Sequence, residues 1–201
     1  MKIKNLFKDL SNNFWIVAII VCIFGLLFLG FGYSCFSNRG SNVVEKVYQG
    51  GYVTMKYSDK TAGVSLINAI PTTDNVGSKD INEGKYFDFS VETDLKDASK
   101  VEYEISVKKN TTKSNILDDD IKVYLEKEDS GSYGEFFGPE KYMPIKEKTE
   151  VGTEKGSMVL ANVKRIKSGV DNYRLRIWLS DKSLIANGNF SVEVNIVAVA
   201  K

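Results

Sequence analysis

The stretch YFDFSVETDLKDASKVEYEISVK, residues 86–108, decides the fold class. Its first part alternates Phe87, Phe89, Val91 and Thr93 with Asp88, Ser90 and Glu92. Its last part alternates Val101, Tyr103, Ile105 and Val107 with Glu102, Glu104, Ser106 and Lys108. Successive side chains of a strand point to opposite faces, so this period of two predicts strands with one buried and one wet face. The two runs read as antiparallel neighbours, with DLKDASK as a hairpin loop somewhat longer than the commonest types.

The same pattern recurs along the chain. DIKVYLEK (120–127) turns Ile121, Val123 and Leu125 inward, and NYRLRIWLS (172–180) does so with Tyr173, Leu175, Ile177 and Leu179. NFSVEVNIVAVA (189–200) places Phe190, Val192, Val194, Ile196 and Ala198 on one face. Weaker strands are expected at 52–58, 63–69 and 157–163, for about eight in all, and no soluble helix stands out. Clusters such as DKTAG, DNVGSKD and SDKSLIANGN punctuate them. Many short strands with one polar face predict an all-β fold, a single antiparallel β-sandwich over residues 49–201. Alternation alone leaves immunoglobulin-like and jelly-roll topologies both open.

Upstream, FWIVAIIVCIFGLLFLGFGY (14–33) carries no charge. About 20 apolar residues in a helix cross a hydrocarbon core of about 30 Å, whereas a secretory signal core runs to about 7–15. The segment therefore reads as one N-terminal transmembrane helix, a signal anchor. Trp15 and Tyr33 sit at its ends as membrane-interface anchors. Residues 1–13 form a short basic tail with Lys2, Lys4 and Lys8 against Asp9, and beyond the span Arg39 is the first cation. Positive residues stay on the cytoplasmic side, so the expectation is a single-pass cell-membrane protein with a cytoplasmic N-terminus. Residues 34–48 read as a linker and residues 49–201 as extracytoplasmic. Gly30 to Ser34 fit a signal-peptidase site poorly, and Tyr33 before Cys35 fits a lipoprotein site poorly.

Composition narrows the function. The 201 residues include 27 basic and 26 acidic side chains, a net of +1. The tail holds +2 of that, so the remainder is near −1, and no nucleic-acid partner is expected. Cys22 lies in the span and Cys35 just beyond it, so the outer domain has no disulfide framework and no thiolate metal site. The chain has no histidine, which removes the commonest general base and the commonest zinc ligand. No catalytic residue, cofactor or metal site is assigned. Asp118, Asp119 and Asp120 lack the spacing of a calcium loop and read as a solvated strand entry. KEKTEVGTE (146–154) reads as a mobile, solvated loop. Asn110-Thr111-Thr112 and Asn189-Phe190-Ser191 match the glycosylation acceptor pattern.

Two groups are candidate binding residues. Arg174, Arg176 and Trp178 fall on the outward face of one strand, where two guanidinium groups beside an indole can hold anions, glycans or a protein. The structural alternative is a charge ladder to Glu102 and Glu104 with Trp178 under a loop. Tyr133, Phe136, Phe137 and Tyr142 concentrate in the glycine-bearing stretch SGSYGEFFGPEKYMP (130–144). They read as an aromatic loop, either a recognition edge or a lid over the core.

GVSLINAIPTTD, then YFDFSVETD, then KVEYEISVKKN resembles the N-terminal part of the TasA/camelysin-like surface proteins of Gram-positive bacteria. The matching positions are Val64, Leu66, Pro71, Phe87, Phe89, Val101 and Tyr103. The resemblance covers about a third of the chain and implies a jelly-roll or immunoglobulin-like sandwich on the cell surface, in some members assembled into matrix fibres. The Pro-Gly-Asp turn common in that family and an alanine-type cleavage site are absent, and no protease residues can be matched. The expectation is a non-catalytic surface, adhesion or partner-binding protein, held by the bilayer through residues 14–33. Its partner would be a surface protein or a glycan, with a homo-oligomer possible. The alternatives are a secreted fibre subunit assembling by strand exchange and, more remotely, a carboxylate-dependent glycan-active enzyme.

Overall fold

The computed structural model describes residues 44–48, 51–58, 62–79 and 85–201. The expected tail 1–13, span 14–33, anchors Trp15 and Tyr33, and most of the linker 34–48 lie outside the described residues. Among those described, no helix is long and apolar enough to cross a membrane.

The described chain is nearly all β. Its strands are β1 (Val44–Tyr48), β2 (Val53–Tyr57), β3 (Gly63–Ala69), β4 (Tyr86–Thr93) and β5 (Val101–Lys109), followed by β6 (Ile121–Asp129), β7 (Ser132–Lys141), β8 (Ser157–Arg165), β9 (Gly169–Leu179) and β10 (Gly188–Ala200). One turn of helix, α1 (Asp74–Gly77), follows β3. A six-stranded sheet has the order β1-β2-β4-β9-β6-β7, and a four-stranded sheet has the order β3-β10-β5-β8. Every strand pair is antiparallel. From β3 onward, consecutive strands change sheet at each step except from β6 to β7.

That order corrects the expected hairpin. β4 pairs with β2 and β9, whereas β5 pairs with β10 and β8, so DLKDASK crosses between sheets. Alternation reports which side of a strand is apolar, and both sheets turn the same kind of side inward. The expected linker is corrected too, because Val44–Tyr48 is strand β1, paired along β2. It is a short outer strand, and Val47 stays 64% exposed.

The inward sets expected from the sequence meet in one core. Phe87, Val91, Tyr103, Ile105, Val123, Leu125, Leu175 and Phe190 are all fully buried within it. Each such side chain contributes about 1.5–3 kcal/mol relative to exposure, and this shared burial holds the sheets together. The outer face of the four-stranded sheet is drier than expected. Glu102, Glu104 and Ser106 are buried. Residues 146–154, expected to be solvated, lie over part of it. Thr149 Oγ1 donates to Glu104 Oε2 at 2.5 Å and accepts the N–H groups of Gly152 and Thr153, while Val151 and Thr153 are buried.

Register gathers four loops at one end. Ala69 at the end of β3 faces Gly188, Leu179 at the end of β9 faces Ile121, and Lys141 at the end of β7 faces Lys122. Lys108, near the end of β5, faces Ser157. Backbone hydrogen bonds tie the loops together: Thr72 N–H to Leu179 O, Ser180 N–H to Asp120 O, Asn187 N–H to Ala69 O and Tyr142 N–H to Ile121 O, each 2.8–2.9 Å. α1 lies here, so this is called the α1 end.

Candidate functional site

β9 runs through the middle of the six-stranded sheet and carries Arg174, Arg176 and Trp178 on its outer side. Its neighbours set what those groups meet. Arg174 lies opposite Asp88 on β4 and Glu126 on β6; Arg176 lies opposite Tyr86 and Tyr124. Arg174 donates through Nε and Nη2 to Asp88 Oδ1 and Oδ2 at 2.6 and 2.7 Å, a two-pronged match of planar groups. The Tyr133 and Tyr86 rings flank its guanidinium at 4.4 and 4.8 Å. The hydrogen-bonded Asp88 carboxylate pushes the Arg174 guanidinium further toward its charged form. Arg176 donates from Nε to Glu126 Oε2 at 2.7 Å. Trp178 lies under α1, donates from Nε1 to Asp74 Oδ1 at 3.2 Å and meets Tyr124 edge-on at 6.3 Å.

The expected binding row is thereby corrected. Arg176 is 4% exposed and Trp178 3%, so neither presents itself to a partner; only Arg174 reaches the surface, already engaged. The ladder runs to Asp88 and Glu126 of its own sheet rather than to Glu102 and Glu104, which belong to the other sheet. The expected cover over Trp178 is present, supplied by α1. A Cβ on Gly77 would stand 2.3 Å from the indole, so that contact requires glycine.

The aromatic stretch is also corrected. Tyr133, Phe136 and Phe137 lie on strand β7 at the sheet edge, not on a loop. Tyr142 is in the core, edge-on to Phe190 at 5.4 Å, and its hydroxyl accepts the Lys109 N–H at 2.9 Å. Burial raises the Tyr142 hydroxyl above its ordinary range. Phe137 packs against the core, and Phe136 covers Tyr173 at 5.8 Å while remaining 41% exposed. Tyr142 thus belongs to the core itself, Phe136 and Phe137 pack from the edge strand, and Tyr133 stacks on Arg174.

A polar cluster that sequence reasoning missed joins the two sheets away from the α1 end. Tyr103 Oη donates to Asp171 Oδ2 at 3.0 Å and lies 2.8 Å from Tyr173 Oη. Its single proton goes to the carboxylate, so Tyr173 donates to Tyr103. Arg165 Nη1 and Lys127 Nζ both reach Asp171 Oδ1, at 3.1 and 3.0 Å. Burial pushes both tyrosine hydroxyls well above their ordinary range, Tyr103 further than Tyr173. The signal was present: Asp171 has the same parity as the inward Tyr173, an acid on a core-facing position. Two cations and a phenol satisfy it, and the arrangement acts as a clasp rather than as acid–base machinery.

The concave site is a cleft of about 380 Å³ near the α1 end, where the two sheets part. β3 forms one wall from Ser65 to Ala69, continuing to Ile70 and Thr72; Ile177, Trp178 and Leu179 of β9 form another; Lys85 stands before β4. Among the described residues the lining holds no carboxylate, and Lys85 is its one titratable side chain. Among the described residues β3 pairs only with β10, which makes it an edge of the described sheet along the cleft. Among the described residues, no group of three or more acidic or cysteine side chains is placed to hold a metal ion.

No family model matches the chain, and no curated protein matches it. Among solved structures it is similar to AvmM, which catalyzes macrocyclization in alchivemycin A biosynthesis. That likeness has 11% identity and a TM-score of 0.29, covering 78% of this chain and 94% of that one, and carries no argument about fold or function.

Proposed function

We propose that the protein is a membrane-anchored, extracytoplasmic jelly-roll domain with a non-catalytic role, binding an extended segment of a partner protein along the edge of β3. The uncharged run 14–33 and the lysines before it support the anchor and its orientation. The strand orders β3-β10-β5-β8 and β4-β9-β6-β7 support a jelly roll over an immunoglobulin-like sandwich. A jelly roll is also one of the two folds implied by the resemblance to TasA/camelysin-like proteins.

The observation that carries the binding role is the edge that β3 presents, among the described residues, beside an apolar cleft. A strand edge offers backbone N–H and C=O groups to a further strand, and a neighbouring cleft receives alternate side chains. The described lining, largely apolar and without the pair of carboxylates that glycan hydrolysis needs, supports binding. The test is binding of fluorescent extended peptides with alternating Val and Ile to the parent and to an Ile67→Arg, Ile70→Arg variant. Both side chains are more than 70% exposed, so the fold tolerates the change. At least one peptide should bind the parent in the micromolar range and lose roughly tenfold or more on the variant. Equal binding by both proteins, or none by the parent, refutes the reading. The same edge supports a second reading, strand addition between copies. That version requires the sedimentation of the parent, but not of the variant, to rise with concentration.

A further inference from the structure

The α1 end is unusually apolar for a set of loops. Ile70 and Val76 follow β3, Leu117 precedes β6, Met143 follows β7 and Leu184 follows β9; their exposures are 72%, 53%, 65%, 64% and 103%. Single exposed apolar residues are ordinary on a surface. Here all four loops at one end carry them. Fixed turns hold these side chains out: Asp120 N–H bonds to Leu117 O, Ser183 N–H to Ser180 O, and Ile185 N–H to Ser183 Oγ. Beside Leu184, Ser183 is buried. The backbone therefore folds inward at Ser183 and puts the leucine out.

The charges between them are mixed. Lys79, Lys113 and Lys182 stand among Asp119 and Asp181, while Asp74 and Asp118 pair with Lys122 and Lys109. A surface of this kind has no strong field to steer toward an anionic partner. It suits the boundary of headgroups and acyl chains, where apolar side chains bury and lysine stems reach back to water. β1 runs in the same direction as β4, away from the α1 end, so Val44 is its residue nearest that end. Residues 34–43 separate the apolar run from β1, and ten residues reach at most about 35 Å when extended. Val44 lies level with Tyr173, six residues short of Leu179 along β9, a span of about 20 Å that ten residues can cover.

We propose that the α1 end lies on the bilayer surface, with Leu117, Met143 and Leu184 dipped into the headgroup layer. This rests on the anchored reading above. The domain is then held flat to its membrane by two attachments, one covalent and one apolar, and the β3 cleft opens close to the lipid.

The test places the full chain in nanodiscs of phosphatidylcholine with or without brominated acyl chains. Leu117→Trp, Met143→Trp and Leu184→Trp are compared with Ile166→Trp, a 74%-exposed site between β8 and β9 at the other end. The emission added by the first three should fall roughly twofold on brominated lipid, as for rings in the headgroup layer, and that of Ile166→Trp should not. Replacing part of the lipid with phosphatidylglycerol, or raising salt, should change little. Three α1-end probes quenched no more than Ile166→Trp overturn the docking while leaving the anchor intact. Unquenched probes in discs that hold two copies assign this end to a second copy instead, and overturn the proposal. A chain not retained in the discs overturns both the anchor and the docking.

Discussion

Replacing Glu126 by alanine tests whether Arg176 is a structural or a presented group. The Arg176 side chain is 4% exposed and that of Glu126 11%, with 2.7 Å between Nε and Oε2. Removing one partner of such a buried pair costs about 3–5 kcal/mol, because the other charge stays desolvated. For a domain of this size that is a fall in Tm of roughly 6–20 °C. The neighbouring pair provides the contrast. Asp88 is 41% exposed, so Asp88→Ala should cost only about 0–1 kcal/mol in spite of its good geometry. A double change, Arg176→Met with Glu126→Leu, should recover most of the loss, since apolar groups of similar volume replace such pairs at little cost. The assay is urea unfolding of the four proteins, made as residues 43–201, a compact unit with its own core. If Glu126→Ala costs no more than Asp88→Ala, Arg176 is not desolvated in solution, and the outer face of β9 returns as a binding surface.

Gly77→Ala puts a methyl 2.3 Å from the Trp178 ring, so the indole should shift outward. A loss of about 1–3 kcal/mol with red-shifted tryptophan emission is expected; unchanged emission would show that α1 does not cover Trp178. Tyr103 and Tyr173 are held protonated in the folded state and ionise near the ordinary value of about 10 when unfolded. Above about pH 10 the unfolded chain therefore binds fewer protons, and stability falls by about 1.4 kcal/mol per pH unit for each such tyrosine. Below that pH their contribution is fully present, and Tyr103→Phe should make the alkaline slope of the urea midpoint shallower. Thr149→Val removes the bond to Glu104 and the acceptor for two N–H groups, at a cost of about 1–3 kcal/mol. Hydrogen exchange should then speed up across residues 146–154 and leave β4 and β9 unchanged.

The inner half of this molecule was legible in its sequence, and the outer half was not. Period two placed Phe87, Tyr103, Leu175 and Phe190 in the core, because a sandwich buries one side of every strand in a shared layer. Partner choice was hidden, since β4 and β5 show the same apolar side while belonging to different sheets. β7 was read as a loop because two glycines and a proline interrupt its alternation, and such interruptions are tolerated at an edge. The candidate row on β9 failed for a related reason. Its parity was right, but parity places a side chain on a face and cannot say what α1, Asp74 and Glu126 lay over that face. Asp171 was overlooked because a lone acid in an apolar register has partners distant in sequence, in this case Tyr103 and Lys127.

The position of β10 fixes when the fold can close. Among the described residues β3 has no strand neighbour other than β10, and β5 holds β10 on the other side. The spine of the four-stranded sheet is thus the last of the ten described strands in chain order. During N-to-C synthesis, at roughly 5–20 residues per second, β3 waits for β10 about 120 residues downstream, while β5 can meet β8 first. The six-stranded sheet can complete its pairings once β9 emerges, and it exposes an apolar face until β10 arrives. Until β10 pairs, the domain is therefore an open half-sandwich. It locks only when Phe190 to Ala198 slot in, so closure of the sandwich reports that all ten described strands have been made.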